Sequence, residues 1–296
     1  MRLQIPATTA NMGPGFDCIG MALSLYNYID FEPLPEEHAF LLSAEGEGSE
    51  EVSLSEDNLI YQVYVKTLSA ANAPIYGIKM HFENHIPFSR GLGSSSAAII
   101  GGAMVANQMM GDRLSPAELL KIALEFEGHP DNIAPALLGG VVLSGLTEQG
   151  VFTEKIAPPA HLCCTVLIPD YPLSTAKARE VLPKTHSMAD AVFNVGRMGL
   201  LVHALHTDDI ELLALAMQDK LHQPYRRELI CAMPQIEEAA LALGAKSVVI
   251  SGAGPTLLIV SDHEADFAPL ADILKQQGTS GRVVNLKPVS DGAALV

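Results

Sequence analysis

The densest chemistry in the sequence lies at 87–97, Pro-Phe-Ser-Arg-Gly-Leu-Gly-Ser-Ser-Ser-Ala. Gly91 and Gly93 admit positive φ and let backbone come close to a ligand. Ser94, Ser95 and Ser96 stand where the Ala-rich stretch that follows predicts a helix, over about 95–110. Unpaired amides and the positive end of that helix then converge on one point, which is how backbone holds phosphate. A serine N-cap accounts for one hydroxyl; three in succession exceed that need. Arg90 either screens phosphate charge or reaches solvent. The run has no lysine of a P-loop, and neither the spacing nor the downstream acid of a dinucleotide fingerprint.

A second polar cluster, Glu-Phe-Glu-Gly-His-Pro-Asp-Asn, occupies 125–132. Ser115 to Glu118 read as an N-cap, a proline at N1 and a capping-box glutamate, predicting a helix to about Glu127. If its last turn is intact, Glu125 and His129 share a face and Glu127 points elsewhere. A carboxylate beside a phosphate cradle is what a magnesium ion needs. The structural alternative makes Glu125 a solvated face residue and His129 a helix cap.

Further candidates are scattered along the chain. Asn11 and Asp17 flank a Gly-Pro-Gly turn, either as turn formers or as site residues. Thr175 and Arg179 are i and i+4 on one predicted helix face. Arg226 and Arg227 are adjacent; arginines clamp carboxylates bidentately or make surface ion pairs. Ser-Gly-Ala-Gly-Pro-Thr at 251–256 joins two apolar strands, and its glycines permit close approach to a ligand. His203 and His206 have no evident third ligand, and His81 and His85 lie far apart on a strand edge. No Gly-x-Ser-x-Gly hydrolase elbow occurs.

Positioning these groups requires a mixed scaffold. The first half predicts strands at 2–6, 23–32 and 77–85, a hairpin within the acidic stretch 34–57, and a helix at 58–71. Residues 148–160, with Pro158 and Pro159, read as a domain boundary. Beyond it come strands at 162–168, 247–251, 256–261 and 282–287. Helices are predicted near 175–182, 188–206, 209–218, 234–243 and 264–277. With the extra helices set aside, the order is β-α-β-β-α-β, a split βαβ arrangement. The expectation is an α+β protein of two domains, 1–156 and 157–296, with a cleft between them.

Bulk composition narrows the partners. The 296 residues carry 18 Lys and Arg against 34 Asp and Glu, a formal charge of −16. That balance argues against nucleic acid and anionic membrane, and it demands a local reason for any polyanion to bind. The longest apolar runs, 97–106 and 133–146, are too short to span a bilayer, and the N-terminus has no apolar signal core. Cys18, Cys163, Cys164 and Cys231 have no metal or disulfide spacing. A reduced cytoplasm is the expected location.

The motifs together resemble a family. The run 87–97 resembles the second motif of the GHMP kinases, and 251–256 looks like their third. Pro-Ala-Thr-Thr-Ala-Asn-Met-Gly-Pro-Gly-Phe-Asp at 6–17, with Gly20, is similar to the first motif in its homoserine kinase form. Gly-His-Pro-Asp-Asn-Ile-Ala-Pro-Ala at 128–136 resembles the same branch. The resemblance runs in order from residue 6 to about 256. It implies a ribosomal-protein-S5-domain-2-like N-terminal domain and a ferredoxin-like C-terminal domain. It also implies transfer of the ATP γ-phosphoryl group to the side-chain hydroxyl of L-homoserine, a step toward threonine.

Carried onto this sequence, the resemblance places Pro87, Phe88, Ser89, Arg90, Gly91, Leu92, Gly93, Ser94, Ser95, Ser96 and Ala97 around ATP. Ser95 and Glu125 would hold Mg2+. Asn11, Asp17, His129, Asn132, Thr175, Arg179, Arg226 and Gly254 would surround homoserine, with Asp17 meeting its ammonium and the two arginines its carboxylate. Asn132 falls where related sugar and mevalonate kinases place a catalytic aspartate, and an amide is no general base. The implied catalysis is in-line positioning and charge stabilisation, with Asn132 and Arg179 in the site and Asp131 as the rival base. The alternatives are another small alcohol, mevalonate-like or a sugar, and an inactive ligand-binding relative. A homodimer is the family's expectation.

Overall fold

Leu3, Ile5 and Ala7 alternate into the core along β1 (Arg2–Ala10), the period-two pattern of a strand. The computed structural model describes every residue except Gln149. β1 pairs antiparallel with β2 (Ile19–Leu34), and the register shifts between Pro6 and Ala7, where proline has no N–H to give the ladder. β3 (Phe40–Gly46) lies parallel to β4 (Gly77–Asn84), so the hairpin expected within 34–57 does not form. Parallel neighbours need a crossover. Helix α1 (Leu59–Ala70) supplies it, capped by the Asn58 side chain.

Helices α2 (Ser94–Met109), α3 (Pro116–Ala123) and α4 (Pro130–Leu138) follow, with α2 and α4 against β1 and β2. The capping box of Ser115 and Glu118 forms as expected. β5 (Val141–Thr147) pairs with β2 and makes a hairpin with β6 (Gly150–Ile156). The stretch read as a boundary at 148–160 therefore begins with a strand of the first sheet.

The second sheet has the order β10-β7-β9-β8, all antiparallel. It starts with β7 (Cys163–Pro169). The chain then forms four helices in succession: α5 (Thr175–Glu180), α6 (Met188–Thr207), α7 (Ile210–Ala216) and α8 (Gln223–Arg226). Then come α9 (Met233–Ala242), β8 (Ser247–Ile250), β9 (Leu257–Ser261), α10 (Leu270–Gln276) and β10 (Gly281–Leu286). This is the split βαβ order expected. α10 starts six residues later than predicted, directly after Pro269, since a proline inside the helix would remove a hydrogen bond and clash with the preceding turn.

The chain then returns to the first sheet. Pro288 bridges Leu23, the Ala293 N–H donates to the Ala136 carbonyl at 2.9 Å, and β11 (Ala294–Leu295) pairs with β1. The larger apolar core runs from the first sheet into α6, α7 and one face of the second sheet. A smaller core lies beneath α9 and α10, on Ile236, Leu257, Phe267 and Leu274. Among the described residues, no helix is long and apolar enough to cross a membrane, and the four cysteines are unpaired.

Candidate active site

Three loops meet where the sheets adjoin, and they interlock through backbone. The Thr8 N–H donates to the Leu92 carbonyl at 3.1 Å, and the Gly252 N–H to the Ala10 carbonyl at 3.1 Å. The Ser251 hydroxyl reaches both the Gly91 carbonyl, at 2.6 Å, and the Thr9 hydroxyl, at 2.9 Å. Side chains would not fit at the crossing points. A Cβ on Gly91 would lie 2.2 Å from the Ser251 carbonyl oxygen, and one on Gly93 2.0 Å from Thr8 Oγ1. Both glycines also have positive φ, 79° and 73°, where a side chain strains the backbone.

This arrangement leaves an open cleft rather than a closed turn. At one end is the start of α2. Gly93 is its N-cap in a left-handed conformation, with no side-chain cap. The first amides of the helix have no intrahelical acceptor and line the cleft with Ser94, Ser95 and Ser96. Ser94 Oγ is buried without a hydrogen-bond partner, a donor prepared for an acceptor that the protein does not supply.

At the other end, three charged side chains, a histidine and an amide converge. Arg179 Nη2 donates to Asp17 Oδ1 at 2.7 Å, and His129 Nδ1 lies 3.6 Å from Asp17 Oδ2. Asp17 is held at φ 58°, with its N–H donating to Asn11 Oδ1 at 3.0 Å. Asn11 Nδ2 in turn donates to the Gly252 carbonyl at 2.8 Å. Arg226 is only 2% exposed. Its Nε donates to the Ala178 carbonyl and its Nη1 to the Gly252 carbonyl. No protein acceptor is recorded for Nη2 among the described residues. Burial, reinforced by the nearby Arg179 charge, lowers the Arg226 pKa to about 10, so it stays cationic at neutral pH. Thr175, one turn from Arg179 on α5, completes this wall.

Between the two ends sit Asp131 and Asn132, in the first turn of α4. Asn132 Oδ1 accepts from the Thr8 hydroxyl at 2.8 Å. Its Nδ2 is 3.4 Å from Asp131 Oδ1. Asp131 is 5% exposed. Burial, then the charges of Asp17 and Glu127, raise its pKa to about 7.

Glu125 does not reach the cleft. It is 52% exposed and pairs with Lys66 at 2.6 Å. Glu127 lines the cleft instead, within hydrogen-bond contact of Ser95, and burial raises its pKa. The helical spacing that favoured Glu125 fails because α3 stops at Ala123. The amides of Glu125 and Phe126 bond to carbonyls three residues back, at 3.1 and 3.0 Å, which tightens the chain into turns. Pro130 also disfavours a helical residue before it, and His129 is extended at φ −134°, ψ 135° as the N-cap of α4 rather than a cap of α3. That proline was the signal in the sequence against an intact last turn.

Other candidates divide similarly. Arg90 lines the cleft, but its guanidinium donates to the carbonyls of Pro169 and Phe88, both at 2.9 Å, and to that of Asp170. It ties the loop to the second sheet. Ser89 lines the cleft; Pro87, Leu92 and Ala97 are buried beneath the loop; Gly254 packs behind Gly91. Arg227 points away and pairs with Glu237. Phe88 faces a second, more apolar cavity that shares Ser89, Ser94 and Ser95 with the cleft and is walled by Val52, Leu59 and Phe82. Those three come from separate elements and carried no common signal in the sequence.

Comparison with known proteins places the chain in a family. The family described as GHMP kinases N terminal domain matches residues 58–140, and GHMP kinases C terminal matches 201–280. A homoserine kinase of a Nostoc species is 46% identical over 294 residues, covering 98% of this chain and 97% of that protein. The homoserine kinase of Trichormus variabilis is 43% identical, covering 99% and 95%. The crystal structure of homoserine kinase from Cytophaga hutchinsonii superposes with a TM-score of 0.90 at 27% identity, over 100% of this chain and 97% of that one. The chain therefore belongs to the GHMP kinases, within their homoserine kinase family.

Proposed function

We infer that this protein transfers the γ-phosphoryl group of ATP to the side-chain hydroxyl of L-homoserine, giving O-phospho-L-homoserine and ADP in threonine biosynthesis. One observation carries the reading. A phosphate-binding helix start and an Asp17, Arg179 and Arg226 cluster face each other across a single cleft. An amino acid needs a carboxylate for its ammonium and guanidinium for its own carboxylate, and both line the same cleft as the α2 start. Mevalonate has no ammonium for Asp17, and a neutral sugar compensates neither the carboxylate nor the guanidinium groups.

The triphosphate lies along the amides and hydroxyls of 91–96, and the base enters the cavity walled by Val52, Leu59, Phe82 and Phe88. The residues present fit a magnesium ion. Ser95 and Glu127 adjoin, and such a site is completed by substrate phosphates rather than by a protein cage. When bound there, Mg2+ neutralises phosphate charge. We place the reaction in the cytoplasm and divide the chain at 156/157, with the last nine residues lent back to the first domain.

The chain's own groups act by position. Asn132 is fixed by Thr8 and presents its amide beside the acceptor hydroxyl. Arg179 and Arg226 orient the substrate and offset charge at the transferring group. The hydroxyl proton leaves to phosphate or solvent. Asp131→Asn tests this last point, because loss of a general base costs about 10²–10⁴-fold in rate. The reading predicts a kcat within about ten-fold of wild type; abolished turnover with both substrates still bound makes Asp131 the base.

A coupled ADP-release assay across homoserine, mevalonate and galactose tests the function itself. Turnover with homoserine alone is expected; a preference for either alternative, or no turnover with any, overturns it. Arg179→Ala or Arg226→Ala should raise the homoserine KM by about 10–100-fold and leave that for ATP nearly unchanged.

A further inference from the structure

His222, the N-cap of α8, is fully buried behind Arg226, one helical turn away. Its Nε2 lies 2.8 Å from the Gly13 carbonyl oxygen and 3.6 Å from Asp219 Oδ2. Both neighbours are acceptors, so Nε2 carries the hydrogen. Burial, joined by the Arg226 charge and opposed by Asp219, lowers the His222 pKa and keeps the ring neutral. Nδ1 is then a lone pair, 3.4 Å from Arg226 Nη1. The ring also stacks on Phe16 at 5.2 Å, and the Arg226 guanidinium lies 5.2 Å from the same phenyl centroid.

The histidine is itself held. Asp219 Oδ2 accepts the N–H groups of His222 and Gln223 at 2.9 and 2.7 Å. Asp219 Oδ1 accepts from Asn194 Nδ2 at 2.7 Å, and Asn194 also reaches the Pro14 carbonyl at 3.3 Å. A buried polar network, satisfied throughout, thus joins α6, the start of α8 and the 11–17 loop. Such networks rigidify what they touch.

We propose that His222 is a positioning residue for substrate recognition: its Nδ1 lone pair fixes the plane of the Arg226 guanidinium, while its Nε2–H locks that arginine to the Gly13 turn. The carboxylate clamp and the loop bearing Asp17 then form one rigid unit. The inference rests on the reading that Arg226 holds the substrate carboxylate.

Side-chain geometry separates the two nitrogens. Asparagine can place an acceptor near the Nδ1 position, and glutamine a donor near the Nε2 position. The homoserine and ATP KM values and the melting temperature are measured for whole enzyme carrying His222→Ala, His222→Asn, His222→Gln or Arg226→Ala. His222→Ala should raise the homoserine KM about ten-fold, the loss of one hydrogen bond to a charged group, with the ATP KM within about two-fold. His222→Asn should recover the homoserine KM, and His222→Gln only the melting temperature. Recovery of KM by Gln and not by Asn, a parallel rise in both KM values, or no change in either overturns the proposal. The Asn and Gln comparison stands even if the alanine variant does not fold. An unchanged homoserine KM in Arg226→Ala would instead sink the clamp reading, and the role of His222 with it.

Discussion

Single side chains in this cleft do what their surroundings permit rather than what their spacing implies. Glu125 and Glu127 differ by two positions, yet one is a solvated partner of Lys66 and the other a half-buried acid beside Ser95. Glu127→Gln is expected to lower kcat by about 10²–10³-fold, the scale of a lost electrostatic contact to transferring phosphate, and to raise the Mg2+ requirement. Glu125→Gln should leave both within about two-fold; equal effects in steady-state assays at varied Mg2+ would contradict the placement. Asp131 carries a pH signature. Its pKa rises from 3.8 to about 7 on folding, so the folded chain holds this proton more tightly than the unfolded one. Stability from the group is complete below about pH 4 and is lost as pH rises toward 7, at most about 4 kcal/mol. Asp131→Asn should therefore gain melting temperature over wild type at pH 8 relative to pH 5, in scanning calorimetry. A constant difference would deny the shift. The cleft residues Asp17, Arg179 and Arg226 were legible because their types match an amino acid's charges, and Asn11 and His129 through the motifs that carry the family resemblance. Glu127 was not, because its position depends on where a helix ends.

At the scale of elements, the sequence was most readable where local chemistry is strong. The capping box opened α3, Asn58 capped α1, and Gly93 with its serines opened α2. It misled where pairing is long-range: β3 has ordinary strand residues, and only the crossover through α1 makes it parallel to β4. It also missed α4 as a helix, since Pro130 and Pro135 mask the apolar spacing; Pro130 is tolerated in the first turn. The proposed phosphate loop depends on the backbone conformation of Gly93, so Gly93→Ala is a direct probe. Left-handed φ and the clash with Thr8 Oγ1 should cost about 1–3 kcal/mol of stability. The ATP KM should rise at least about ten-fold, more than that for homoserine. A variant with unchanged ATP KM would show that the loop does not hold nucleotide.

Across the whole molecule, one acidic chain of −16 binds a polyanion because the positive groups are local. The α2 start, Arg179 and Arg226 are presented by two separate sheets that meet at the cleft. The closing segment, 288–296, couples them, with Val289, Ala293 and Val296 donating to Ala22, Ala136 and Arg2 at 2.9–3.1 Å. Ending the chain at Lys287 should cost about 3 kcal/mol for these bonds and lower the melting temperature by about 6–12 °C; an unchanged transition would make the segment ornamental. No residue pattern announced this return, because Pro288 and β11 are too short to carry periodicity. The account as a whole is met most directly by a crystal structure with a non-hydrolysable ATP analogue and L-homoserine. It predicts phosphate oxygens on the amides of 91–96, the substrate carboxylate on Arg179 and Arg226, and the hydroxyl about 3–3.5 Å from the terminal phosphorus. Triphosphate bound elsewhere, or a substrate carboxylate away from both arginines, would contradict it.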